Sequence, residues 1–197
     1  MCYRSMIKRH SYDIVKLYID QIGITVFSFI LITALGSVSD SAALQIGLST
    51  FTTLFFGVIL YTTAWDLGAK DKLSLDSGRA EYHPLKGLAL SLFANLPNFI
   101  LAGGAAICFL LSFTGVDAFY SIGAVLLTIA KFTMAIYLGI INVATSFAGG
   151  WGTLGALVQS IAYCIIPFAA VFFTQLGYSF GLKEKKLFGG AADPKRK

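Results

Sequence analysis

Charged side chains are scarce in this sequence: Asp, Glu, Lys and Arg make up 13% of its 197 residues, where a water-soluble domain carries about 25%. A chain of this length can build one sizeable core, but so few charges cannot cover it against water. Cysteine is also sparse, and Cys2, Cys108 and Cys164 are odd in number and widely separated. Two of them lie in apolar runs, where a thiol acts as a small hydrophobe, so a disulfide framework is excluded. There is no CxxC and no metal-ligand spacing. His10 and His83 have no acidic or thiol neighbours at ligand spacing and read as solvated surface residues. No nucleophile elbow, phosphate loop or cofactor fingerprint occurs. The reading is therefore away from an enzyme, with no cofactor.

What the chain has instead is hydrophobicity, 56% of residues with a mean hydropathy of +0.75. A helix needs about 20 apolar residues to cross the hydrocarbon. Five stretches reach or approach that length: Leu17 to Val38, Ala42 to Trp65, Gly87 to Phe113, Phe119 to Phe147 and Leu154 to Gly177. The expected fold is all-α, a polytopic helical membrane protein forming one membrane domain over residues 1–197. A short basic amino terminus, a charged loop at 66–86 and a basic tail at 178–197 complete it. A cleaved leader ending near Ala34-Leu35-Gly36 fits less well than a retained first helix, because the apolar run is near full span length and a second follows at once.

The net charge of +5 would suggest nucleic acid if read alone, but its distribution argues against that partner. Fourteen of the fifteen basic residues fall at Arg4 to Lys16, Lys70 to Lys86 and Lys183 to Lys197, outside the centres of the spans. Such clusters mark the cytoplasmic face of a membrane protein. The turns at 39–41 and 114–118 hold only Asp40 and Asp117 and read as external. The amino terminus and loop 66–86 then lie in the cytoplasm, in a multi-pass protein of the cell membrane. The lipid bilayer is the implied environment, with a protein subunit or a second copy as the candidate partner.

Parity then conflicts with length. Five crossings from inside would put the tail outside, yet that tail holds six basic and two acidic residues. An even number reconciles it, as six crossings or as four plus a re-entrant segment; alternatively the five crossings stand and the tail is external against the charge bias. The glycines of Phe147-Ala148-Gly149-Gly150-Trp151-Gly152 suit a re-entrant turn and are the first place to expect one. Loop 66–86 carries four basic and four acidic residues, which cancel, and reads as a solvated connection.

Lys131 is the exception among the basic residues, twelve residues into the fourth apolar stretch. In one continuous helix it would sit near mid-membrane, where a basic group costs about 2.5–3.5 kcal/mol. Ala124, Thr128, Lys131, Ala135, Leu138 and Asn142 would share its face. Asn95 and Asn98 share a face of the third stretch with Pro97 between them, and Gln159 and Tyr163 share one in the fifth, which also holds Pro167. Proline frees the carbonyl four residues back, so Pro97 and Pro167 are the candidate kinks. Lys131, Asn142, Asn95, Asn98 and Gln159 are the candidate cavity or solute-contacting residues. They suit a transporter or a membrane subunit of a transport complex. The alternative is a membrane scaffold, regulator or assembly factor in which the same groups hold helices together.

Overall fold

The computed structural model describes residues 11–36, 41–78 and 83–185. Arg4, Lys8, Arg9, His10, Asp40, Arg79 and the tail from Lys186 lie outside the described residues. The helices are α1 (Ser11–Gly36), α2 (Ala42–Asp76), α3 (Lys86–Ala94), α4 (Leu96–Ser112), α5 (Asp117–Thr133), α6 (Leu138–Ala144), α7 (Thr153–Ile165) and α8 (Phe168–Leu182). Single 3-10 turns at Ala135–Tyr137 and Ser146–Ala148 flank α6, and no strand occurs among the described residues.

The protein is an all-α, polytopic helical membrane protein. Three stretches, Ser11–Ala34, Ala43–Asp76 and Thr153–Leu182, are long and apolar enough to cross a bilayer, and five qualify if each interrupted pair counts as one span. The distribution of polarity has the same origin. Val15, Ile19, Ile22, Val26 and Ile30 of α1 are exposed, whereas Gln21, Thr25 and Ser28, at four- and three-residue steps, are buried. On α2, Phe51, Leu54, Phe55 and Val58 face outward while Ser49 and Thr52 are buried. Polar groups inside and large apolar groups outside invert the water-soluble pattern, and lipid is the solvent that stabilises the inversion.

At 35 residues, α2 is about 50 Å long, well beyond the roughly 30 Å hydrocarbon core. Its helix continues through Asp66, Lys70, Asp71 and Lys72 to Asp76, so much of the expected loop 66–86 is a helical extension. Loop chemistry begins only at Ser77 and Gly78, where φ of +69° suits glycine.

The chain forms two compact units, residues 18–56 with 95–168, and residues 1–17 with 57–94 and 169–197. In the second, α2 and α8 pack almost backbone to backbone. A methyl group on Gly177 would overlap the Tyr61 carbonyl, one on Gly181 the Trp65 carbonyl, and one on Gly68 the Tyr178 carbonyl. Gly177 and Gly181 are four residues apart, the small-residue spacing that lets membrane helices approach closely. The Tyr61 and Phe180 rings, 6.4 Å apart, pack beside this contact.

Candidate functional site

Among the described residues, polar groups assemble in both units. In the unit of residues 18–56 and 95–168, the fourth apolar stretch is not one helix. α5 ends at Thr133, Met134 leaves the helical region (φ −119°, ψ 31°), and the chain continues from Ala135 with a bend of 83°. The face expected to join Lys131 to Ala135, Leu138 and Asn142 is therefore not formed. Gly149 and Gly150 form a turn, but the interruption inside the apolar stretch lies at Met134.

A broken helix at lipid depth needs its freed backbone groups satisfied by protein. Thr25 Oγ1 donates to the Thr133 carbonyl at 3.0 Å, and Thr52 Oγ1 donates to the Ile136 carbonyl at 3.2 Å. Gly139 N–H donates to Ser49 Oγ at 2.8 Å, and Gly139 itself lies so close to the Gln45 carbonyl that a side chain there would overlap it. Met134, Ala135 and Ile136 are fully buried around the turn. These contacts also give direction. From Ile136 to Gly139 the partners on α2 run from Thr52 through Ser49 to Gln45, back toward the start of that helix.

Depth follows from the same partners. Thr25 and Thr52 lie eleven and ten residues from the helix ends at Gly36 and Ala42, or about 15 Å at 1.5 Å per residue. That is about half the hydrocarbon thickness. The break is thus near mid-depth on the scale of the α1 and α2 hairpin.

Lys131 occupies the last turn of α5, where a cation interacts favourably with the negative end of the helix dipole, typically by about 0.3–1 kcal/mol. It is half-buried, and its ammonium makes no ion pair or hydrogen bond with any described residue. α4 and α5 run antiparallel, with Phe109 against Tyr120 at 5.6 Å and Gly104 against Leu126. Carried about a turn and a half further, that register sets Lys131 level with Asn98.

There the third apolar stretch is interrupted as well. α3 ends at Ala94, Asn95 has φ −87° and ψ 1°, and α4 begins at Leu96 with Pro97 in its first turn, a position proline tolerates because its missing N–H would have no intrahelical partner. Asn98 Nδ2 donates to Asn95 Oδ1 at 3.2 Å. Asn98 is fully buried and Asn95 is 4% exposed, yet Asn98 Oδ1 has no hydrogen-bond partner. Asn142 and Gln159 meet each other, Gln159 Nε2 donating to Asn142 Oδ1 at 3.2 Å, and no contact joins them to Lys131. Pro167 stands between α7 and α8, which together pass as one span. Tyr163 is buried with its hydroxyl unpartnered.

The comparisons with known proteins return nothing: no family model, no curated protein and no solved structure matches the chain. The residues therefore carry the whole functional argument.

The other unit gathers its charges at the far ends of α2 and α8. Lys86 Nζ contacts Asp71 Oδ2 at 2.6 Å, with their side chains 7% and 19% exposed. Tyr178 OH donates to the same carboxylate oxygen at 2.9 Å. Gln175 Oε1 accepts from Leu88 N–H at 2.8 Å, supplying a partner for the open first turn of α3, while its Nε2 donates to the Pro84 carbonyl at 2.8 Å. Trp65 Nε1 donates to the Lys185 carbonyl at 2.8 Å, and Lys72 pairs with Glu184 at 3.0 Å. The end of α8 is thereby fastened beside residues 61–88. In the sequence, Asp71 and Lys86 are ordinary charges of a stretch whose charges cancel. The missed signal was the Gly177 and Gly181 spacing, which brings α8 against α2 and with it Tyr178 against Asp71.

Proposed function

We propose that the chain is a membrane transporter subunit whose solute contact lies where α4 begins and α5 ends. The observation carrying this reading is the pairing of two helix interruptions at one level, with an unpaired Lys131 ammonium on one and the orphaned Asn98 Oδ1 on the other. Interrupted helices at mid-membrane present helix termini and free backbone groups to solutes in transporters. Lys131 would take an anionic group, and Asn98 Oδ1 would accept a hydrogen bond from the same solute.

The accompanying topology is four crossings with the fourth apolar stretch re-entrant. Reversal of its contacts along α2, from Thr52 back to Gln45, supports its entry and return on one side. The fastening of α8 beside residues 61–88 supports a tail on the same side as that connection. An even number of crossings then reconciles the basic tail with the basic amino terminus.

Burial of Asn95 and Asn98 favours the second reading, a scaffold in which the amides are helix glue worth about 0.6–2 kcal/mol each. Cysteine accessibility separates the two. With Cys2, Cys108 and Cys164 replaced by serine, Lys131→Cys and Asn98→Cys are treated in intact membranes with a charged, membrane-impermeant methanethiosulfonate. The transport reading expects modification at both positions, with that of Asn98→Cys, in which Lys131 is retained, slowed by a competing anionic solute. No modification of either position, with the protein present at normal level, would leave the packing reading.

A further inference from the structure

Beyond the proposed solute site, the side of the break that faces α1 and α2 holds a concentration of neutral oxygens. Thr25 Oγ1 lies 3.0 Å from the Thr133 carbonyl and Thr52 Oγ1 lies 3.2 Å from the Ile136 carbonyl. A threonine hydroxyl has one proton and two lone pairs. That of Thr52 is within reach of three carbonyls, Leu48 at 3.1 Å, Ser49 at 3.2 Å and Ile136 at 3.2 Å. When the single proton turns to its own helix, the Thr52 oxygen and the Ile136 carbonyl face the break with lone pairs only.

Ser28 adds an independent sign of a ligand. It is fully buried and its hydroxyl has no hydrogen-bond partner, although a serine in a helix can turn its proton to a carbonyl one turn back. It stands one turn from Thr25 on the same buried face of α1. After it, Phe29 packs on Phe132 at 5.6 Å. Before it, Phe27 packs on Phe55 at 6.1 Å, within a turn of Thr52. Ser28 is thereby set against the last turn of α5 and near the level of Thr52, alongside the two pairs of hydroxyl and carbonyl.

We infer that the break binds a sodium ion, with the carbonyls of Thr133 and Ile136 and the hydroxyls of Thr25, Ser28 and Thr52 as its ligands. Hard cations take oxygen ligands, and unwound carbonyls at the end of an interrupted helix are where membrane transporters hold them. Oxygens about 2.4 Å from a cation of calcium's size, which is also sodium's, are about 3.4 Å apart at right angles, close to the 3.0 and 3.2 Å of the two pairs. The five ligands include no carboxylate, so a single positive charge, favoured by the negative end of the α5 dipole, suits them better than a divalent ion. Met134, Ala135 and Ile136 are fully buried around the site, and that close packing suits sodium rather than the larger potassium. Lys131 does not oppose the ion, because it lies two residues and about 200° around α5 from Thr133. In the transport reading the ion and an anionic solute would sit on opposite sides of one break and be coupled through it, but the ion site stands without that reading.

The test contains no solute, so its outcome is independent of the solute site. The full-length chain in nanodiscs is unfolded by heat in NaCl, KCl or choline chloride at constant total salt. A saturable rise of the midpoint with NaCl is expected, with potassium and choline without effect. Ser28→Ala should weaken the apparent sodium affinity about tenfold, the order of one lost ligand, yet unfold no earlier than wild type in choline, since its hydroxyl has no hydrogen bond to lose. That combination separates a ligand from a packing residue. Thr25→Val should weaken the sodium response as well, whereas Thr33→Val, whose exposed hydroxyl bonds its own helix, should respond as wild type. Equal midpoints in NaCl and KCl, as a buried water on Ser28 would give, or an undiminished sodium response in Ser28→Ala, would overturn the inference.

Discussion

Gly177→Val and Gly181→Val are each expected to unfold the α2 and α8 contact, lowering stability by about 3 kcal/mol or more. Overpacking in a flexible core costs about 1–3 kcal/mol, but here the obstructing atoms are the carbonyls of Tyr61 and Trp65, which cannot rotate aside. Separating the helices would also strain the Tyr178 to Asp71 and Trp65 to Lys185 hydrogen bonds. The measurement is reversible unfolding of purified protein in mixed micelles of increasing SDS fraction. Gly103→Ala is the control, since a methyl group there meets nothing within 4 Å, and it should be close to neutral. Wild-type unfolding of Gly181→Val would contradict the packing described for this unit.

The second large effect is expected at the buried ion pair. Lys86→Met leaves the Asp71 carboxylate with Tyr178 OH but without its cation, and Asp71→Asn leaves an ammonium only 7% exposed without its anion. Removing one partner of a buried pair costs about 3–5 kcal/mol, whereas replacing both can be nearly neutral. Each single variant should therefore unfold at markedly lower SDS fraction, and the double variant should recover much of the loss. Tyr178→Phe should cost less than either, since it removes one hydrogen bond to a charged group, about 1.5–3 kcal/mol. Additive losses in the double variant would show that Lys86 and Asp71 act independently.

Much of the fold was legible because lipid imposes a coarse and strong requirement. Length and hydropathy suffice to mark α1 and α2 as spans. Proline chemistry marks the neighbourhood of Asn95, where Pro97 opens α4. The break after Thr133 carries no such mark: Met134, Ala135 and Ile136 are neither proline nor glycine, and the residues that make it tolerable, Thr25, Ser49 and Thr52, belong to other helices. Helical periodicity continued through that point would join Asn142 to Lys131 on one face, and the 83° bend removes that face.

The polar end of α8 was illegible for a similar reason. Asp71 and Lys86 are ordinary charges in a stretch whose charges cancel, and only the antiparallel approach of α2 and α8 brings Tyr178 to them. Long-range pairing of this kind has no local periodicity to read. The Gly177 and Gly181 spacing was the available hint, since close approach of a helix there implies a partner for its flanking residues.

The most direct test of the central claim is side-selective labelling of single cysteines at Thr114 and Gly150, either side of the interrupted fourth stretch. With the native cysteines replaced and a tag on the carboxyl terminus, an impermeant maleimide is applied to intact cells and then to lysed ones. A re-entrant stretch predicts that both cysteines react from outside while the tag is reached only after lysis. Reaction of Thr114→Cys from outside and of Gly150→Cys only from inside would make that stretch a full crossing and contradict the account.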